Sequence, residues 1–151
     1  MVALICNVKE SSIGFLSVRY TYDKITDAIG CSQQAYIDHL LVKYGMDHAN
    51  ACKLPINPGS DLESLPILDT PDKFVVRAYA ALIGELLYIA INTVPQLSSS
   101  MSSLTRYMSK ATPANLTYAK VVLRYLISIK KRQLTWCGQR VCFIQKLIQN
   151  G

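Results

Sequence analysis

Glu85 is the last carboxylate of this 151-residue chain: the 66 residues after it carry Arg106, Lys110, Lys120, Arg124, Lys130, Lys131, Arg132, Arg140 and Lys146 and no acid. Residues 86–151 therefore hold a net charge of +9, whereas residues 1–85, with 7 basic and 10 acidic side chains, hold −3. Ammonium and guanidinium groups with no carboxylates among them are suited to contact a polyanion, and a phosphate backbone is the first candidate. The plainer alternative, a solvated basic surface with no partner, stays open. The same asymmetry excludes a class of chemistry. Two-metal nucleases and polymerases need clustered carboxylates to hold their ions, and the last 66 residues supply none.

Other reactive side chains are poorly spaced for catalysis. His39 and His48 lie nine residues apart with no companion ligands, which favours surface or capping roles over a metal site. The serines at 98–100, 102 and 103 have no His or Asp arrangement around them and read as a polar run. Cysteines stand at 6, 31, 52, 137 and 142, odd in number and without a CxxC pair, so neither a disulfide framework nor a zinc knuckle is expected. Tyr79 and Tyr88 read as core residues with bonded hydroxyls. No cofactor, metal or small-molecule substrate is implied.

The elements that must position the basic residues follow from periodicity. Half of the residues are hydrophobic and 17% charged, enough apolar surface for one folded domain. Phe15 to Tyr22 alternates with period two and predicts a strand, with Leu16, Val18, Tyr20 and Tyr22 on one side and Phe15, Ser17, Arg19 and Thr21 on the other. Asp23–Asp27 predicts a turn and Ala28–Cys31 a returning strand. Ser32 is a candidate N-cap for a helix carrying Tyr36, Ile37, Leu40, Leu41 and Tyr44, which Gly45 would end.

Four of the six prolines fall between Asp47 and Asp72 and predict a long connector. Three helices should follow. The first, about Lys73 to Ile91, is apolar on most sides and predicts a buried central helix. The second starts near Pro95 with Leu97, Met101, Leu104 and Met108 on one stripe. The third has Thr112 as N-cap and Pro113 in its first turn, with Leu116, Ala119, Leu123 and Leu126 inward and Lys120, Arg124 and Lys131 along one outer face. Gln133–Trp136 reads as a short strand. The expected class is thus α+β and predominantly helical: a short N-terminal β-hairpin, one helix, a Pro-rich connector and three helices. It divides as hairpin plus helix (13–46), connector (47–72), helical part (73–136) and an unplaced tail (137–151). The run Ala78–Val94 contains Glu85, Asn92 and a central Gly84, and is too short to predict a membrane span. Met1–Cys6 lacks the pattern of a signal peptide, so an intracellular site, cytoplasmic or nuclear, is expected.

The order of motifs resembles the reverse transcriptase region of copia-type retrotransposon polyproteins, in the part after the catalytic palm, from about Phe15 to Trp136. Phe15-Leu16-Ser17 is similar to the family's Phe-Leu-Gly strand. Ser32-Gln33, Tyr36-Ile37, Leu40-Leu41 and Gly45-Met46 are similar to its Ser-Gln, Tyr-Ile, Leu-Leu, Gly-Met helix. Leu54 to Ser60 with Leu62 resembles its Thr-Pro-Leu-x-Pro-Gly connector, and Tyr79, Ile83-Gly84 and Leu86-Leu87-Tyr88 its Tyr-Arg-x-x-Val-Gly-x-Leu-x-Tyr helix. Thr93 and Pro95, Leu104 with Arg106 to Ser109, and Ala119-Lys120 with Leu123 to Leu126 continue the series. Departures are Ser17 for a glycine, Val94 and Gln96 for the Arg and Asp of Thr-Arg-Pro-Asp, Asn115-Leu116 for a His-Trp pair, and Val121 for an arginine.

The resemblance implies a thumb-like, nucleic-acid-binding part of an RNA-directed DNA polymerase. Arg19, Arg106, Lys120, Arg124, Lys130 and Lys131 are the implied phosphate contacts, and Phe15 and Leu16 the implied primer-grip-like positions. Ordinary sheet packing is the alternative for Phe15 and Leu16, and a solvated face for the basic residues. The family's palm aspartates have no counterpart, because no Asp-Asp occurs, and the ribonuclease H carboxylates that should follow the last strand are absent. A non-catalytic fragment is therefore expected, with an RNA–DNA or DNA duplex and the parent's palm as partners. The alternative is a non-enzymatic interaction or structural module, or a nonfunctional remnant.

Overall fold

The structure, a computed structural model, describes residues 10–56 and 70–137; the side chains of 10–13, 15 and 137 lie outside that description. The fold is mixed α+β, as the sequence predicts. The described residues form two compact units, one of 10–33 with 132–137 and the other of 34–56 with 70–131. The strand near Trp136 thus belongs with the N-terminal strands and not with the preceding helices.

The first unit is an antiparallel meander of β1 (Glu10–Phe15), β2 (Val18–Asp23), β3 (Ala28–Ser32) and β4 (Leu134–Cys137), in that spatial order. The single strand expected over 15–22 is broken. Leu16 and Ser17 have φ of 48° and 62°, so the chain reverses through a two-residue turn with left-handed backbone at both positions. The reversal pairs Phe15 with Val18 and Gly14 with Arg19. The break corrects the single alternating strand read from the sequence, because Val18 and Arg19 now belong to the returning strand. In the second turn the Asp23 carboxylate accepts from the Ile25 N–H at 2.9 Å and the Thr26 hydroxyl at 2.7 Å, which holds its carboxyl below the usual range. Gly30 is demanded by packing: a Cβ there would fall 2.6 Å from Thr21 Oγ1 and 2.9 Å from Gln133 Nε2.

The second unit is built from α1 (Gln34–Lys43), α2 (Lys73–Asn92), α3 (Ser98–Thr105, after a 3-10 turn at Pro95–Leu97) and α4 (Pro113–Ile129). Ser32 is the last residue of β3 and not the cap of α1, which begins two residues later. Gly45, at φ 62°, ends α1 as expected, and the Met46 N–H reaches back to the Leu41 carbonyl at 2.7 Å. Asp72 caps α2 by accepting from the Phe74 N–H at 2.8 Å. Thr112 and Asn115 form a reciprocal capping box at α4, with Pro113 in its first turn.

The core of this unit gathers Ile37, Leu40 and Leu41 of α1 with Tyr79, Leu82, Ile83, Leu86 and Ile89 of α2. Leu97, Met101 and Leu104, then Ala119, Val122, Leu123, Leu126 and Ile129 of α4, complete it. The buried Tyr79 hydroxyl donates to the Leu104 carbonyl at 2.8 Å, which ties α2 to the end of α3. Two expectations for α2 are corrected: the run read as too short for a membrane span, and burial on most sides of the helix. α2 is long and apolar enough by length and composition to cross a membrane, yet only a third of it is buried: its inner face is core, while Phe74 and Ile91 are 84% and 80% exposed.

Candidate nucleic-acid interface

The basic residues named from the sequence divide by what they touch. Lys120 is exposed on α4 and Lys131 is exposed two residues beyond its end. Their spacing of eleven residues, three helical turns, keeps them near one line along the helix. Arg124 lies between them but is half-buried: its Nε donates to the Asn50 carbonyl at 2.8 Å, and its own carbonyl accepts from the Cys52 N–H at 3.1 Å. This side chain splices the start of the connector onto α4. Lys130, at the helix C-terminus, is paired with Asp38 of α1 at 2.7 Å. Its charge also sits where the helix dipole favours a cation. Of the four, Lys120 and Lys131 present their ammonium groups to solvent with no ion-pair partner among the described residues.

Arg106 is exposed just past α3, and Lys110 is exposed in the turn leading to α4. Arg19 is exposed on β2, between Gly14 and Ser32 in the register. Leu16 sits at the tip of the first hairpin and is 68% exposed. Phe15 closes β1, and its side chain lies outside the described residues. The predicted residues therefore fall into both units: Phe15, Leu16 and Arg19 in the sheet, the other five in the helical unit.

Carboxylates of the helical unit are engaged internally. Glu85, the one acid of α2, accepts from Lys43 Nζ at 2.5 Å and from the Tyr44 hydroxyl at 2.7 Å, latching α1 to α2. Burial and this carboxylate push the Tyr44 phenol well above its ordinary value. Tyr36, raised for the same two reasons, packs edge-on against Tyr88 with ring centroids 5.4 Å apart. Asp38 is held by Lys130, Asp47 lies 3.1 Å from the His48 ring, and Asp72 caps α2. Reading the sequence alone missed this latch because its partners, Lys43, Tyr44 and Glu85, are forty residues apart and Glu85 reads there as an interruption in an apolar run.

Chemically, the described arrangement presents cationic side chains suited to binding an anion. No group of three or more His, Cys, Asp or Glu side chains that could hold a metal ion occurs among the described residues. Cys31 and Cys52 are free thiols, and burial pushes the Cys31 thiol up, away from a reactive thiolate. The tail expected to be unplaced, and connector residues 57–69, lie outside the described residues apart from Cys137. No family model matches the chain, and no solved structure matches it.

Proposed function

We propose that this chain is the post-palm part of a copia-type retrotransposon reverse transcriptase, without catalysis of its own, and that its helical unit holds primer–template duplex irrespective of sequence. The observation that carries the reading is the state of the charges. The described helical unit has ten lysines and arginines against four carboxylates. Each of those carboxylates already has a contact within the unit, whereas Lys120 and Lys131 are exposed with no ion-pair partner among the described residues. Counterion release from phosphates is what such a surplus does best, and it reads backbone and not base identity. The absence of an Asp-Asp pair and of any acid beyond Glu85 supports leaving polymerisation and ribonuclease chemistry to other parts of a parent enzyme.

The test is fluorescence anisotropy of an RNA–DNA hybrid titrated with the whole chain over a range of salt. Affinity should fall steeply with salt and be the same for unrelated sequences. Changing Lys120→Gln and Lys131→Gln together should flatten the log–log salt slope by about two, since each lost phosphate contact is worth about 0.9. Arg124→Gln should instead loosen the connector and alter stability before it alters the slope. A slope left unchanged by the lysine pair refutes the assignment.

A further inference from the structure

The outer face of α2 is a second surface with a definite pattern. Its positions 74, 77, 81, 84, 88 and 91 alternate in steps of three and four, the 3.5-residue period of a coiled-coil seam. They hold Phe, Arg, Ala, Gly, Tyr and Ile. Phe74, Arg77, Ala81, Gly84 and Ile91 are exposed, and Tyr88 is half-buried beside Tyr36. None of these positions appears in the buried core that the other faces of the helix supply.

The seam is self-complementary when a second helix runs antiparallel to it. Reflection about the point between Ala81 and Gly84 sets Phe74 against Ile91 of a second copy, Arg77 against Tyr88, and Ala81 against Gly84. Each a-type position then meets a d-type position, as antiparallel seams require. Large apolar groups meet at both ends, and the smallest residues meet in the middle, where the backbones come closest. Between them a guanidinium falls on a phenol ring, within one turn of Glu85, the sole carboxylate of the helix. Charge as well as shape therefore repeats under the two-fold operation.

Gly84 is independent support. A Cβ added there meets nothing within 4 Å, so packing among the described residues does not call for a glycine. Glycine in a helix interior is nevertheless destabilising relative to alanine. Close approach of a body from outside accounts for its presence at this position.

We infer that α2 is a homodimerisation helix: its outer seam takes the same seam of a second copy of this chain in an antiparallel, two-fold symmetric pair. Twenty residues of helix run about 30 Å, and a seam of that length buries on the order of 1,000 Å² in total, the low end for specific interfaces. An interface of that size makes the dimer reversible.

Sedimentation equilibrium of the whole chain, with circular dichroism on the same samples, tests this. Wild type should follow a monomer–dimer equilibrium. Ala81→Glu, on an exposed position at the closest approach, should weaken it by at least about tenfold with helix content unchanged. Phe74→Lys and Ile91→Glu should each weaken it. Placed together in one chain they should restore it to within about threefold of wild type, because a lysine then faces a glutamate at each of the two symmetry-related contacts. A parallel pair would instead oppose like charges, so a double variant weaker than either single one overturns the proposal. So does a folded wild type that stays monomeric, whether or not it adheres to phosphatidylcholine vesicles or to another protein. Association, ordered or open-ended, that Ala81→Glu leaves untouched overturns it as well.

Discussion

Ser17 adopts φ of 62° directly after Leu16 at 48°, so two residues with side chains occupy positions that a two-residue hairpin turn normally gives to Asn or Gly. An L-residue in this region costs about 1–2 kcal/mol, and a glycine there regains most of that while losing some through its freer unfolded chain. Ser17→Gly should therefore stabilise the first hairpin by roughly 0.5–1 kcal/mol, and Ser17→Val, whose branched side chain resists left-handed backbone, should destabilise it. Urea unfolding of the two variants against wild type checks the order. If valine proves as stable as glycine, the turn does not have this geometry in solution. The same turn leaves Leu16 68% exposed.

At the scale of elements, α4 shows how local chemistry can place a helix without help from its surroundings. The Thr112 hydroxyl accepts from the Asn115 N–H at 3.4 Å and donates to Asn115 Oδ1 at 2.7 Å, while that oxygen also accepts from the Thr112 N–H at 2.8 Å. The box is buried, so water cannot replace it. Thr112→Ala should cost about 1–2 kcal/mol, read as a lower urea midpoint at unchanged slope, and Thr112→Ser should cost much less. Such signals are why α4 and the end of α1 were legible in the sequence, since a capping residue, a proline at the first turn and a glycine past the last are local, whereas α2 was legible from its apolar run. What was not legible depended on partners. β1 was missed because Leu16-Ser17 carries none of the Asn, Asp or Gly that a left-handed two-residue turn favours, so alternation ran on through the reversal. The exposure of Phe74 and Ile91 was hidden because an apolar helix surface reads the same whether a neighbour covers it or not. Lys120 and Lys131 could be named as outward cations from spacing alone. That Arg124 holds the connector, and Lys130 holds α1, required Asn50 and Asp38, which lie more than seventy residues away.

For the whole molecule, the division into units carries the energetic consequence. The main apolar cluster runs from Ile37 to Ile129 and draws every buried member from the helical unit. The ties between its helices are internal as well: Lys43 and Tyr44 to Glu85, Lys130 to Asp38, Tyr79 to Leu104 and Arg124 to Asn50. A unit that contains its own core and its own polar latches should fold by itself. Residues 34–131 expressed alone should therefore give a helical spectrum and a single cooperative urea transition, with probes of tyrosine environment and of helicity coinciding. Leu123→Ala, which removes a fully buried side chain from the centre of α4, should then lower stability by about 2–5 kcal/mol in the unit and in the whole chain alike. Equal losses would mean that one core governs both. A gradual transition of the unit, or a Leu123→Ala cost that appears only in the whole chain, would show that the strands 10–33 and 134–137 are part of what makes the helices fold, and the helical unit could not then be treated as the independent carrier of the basic face.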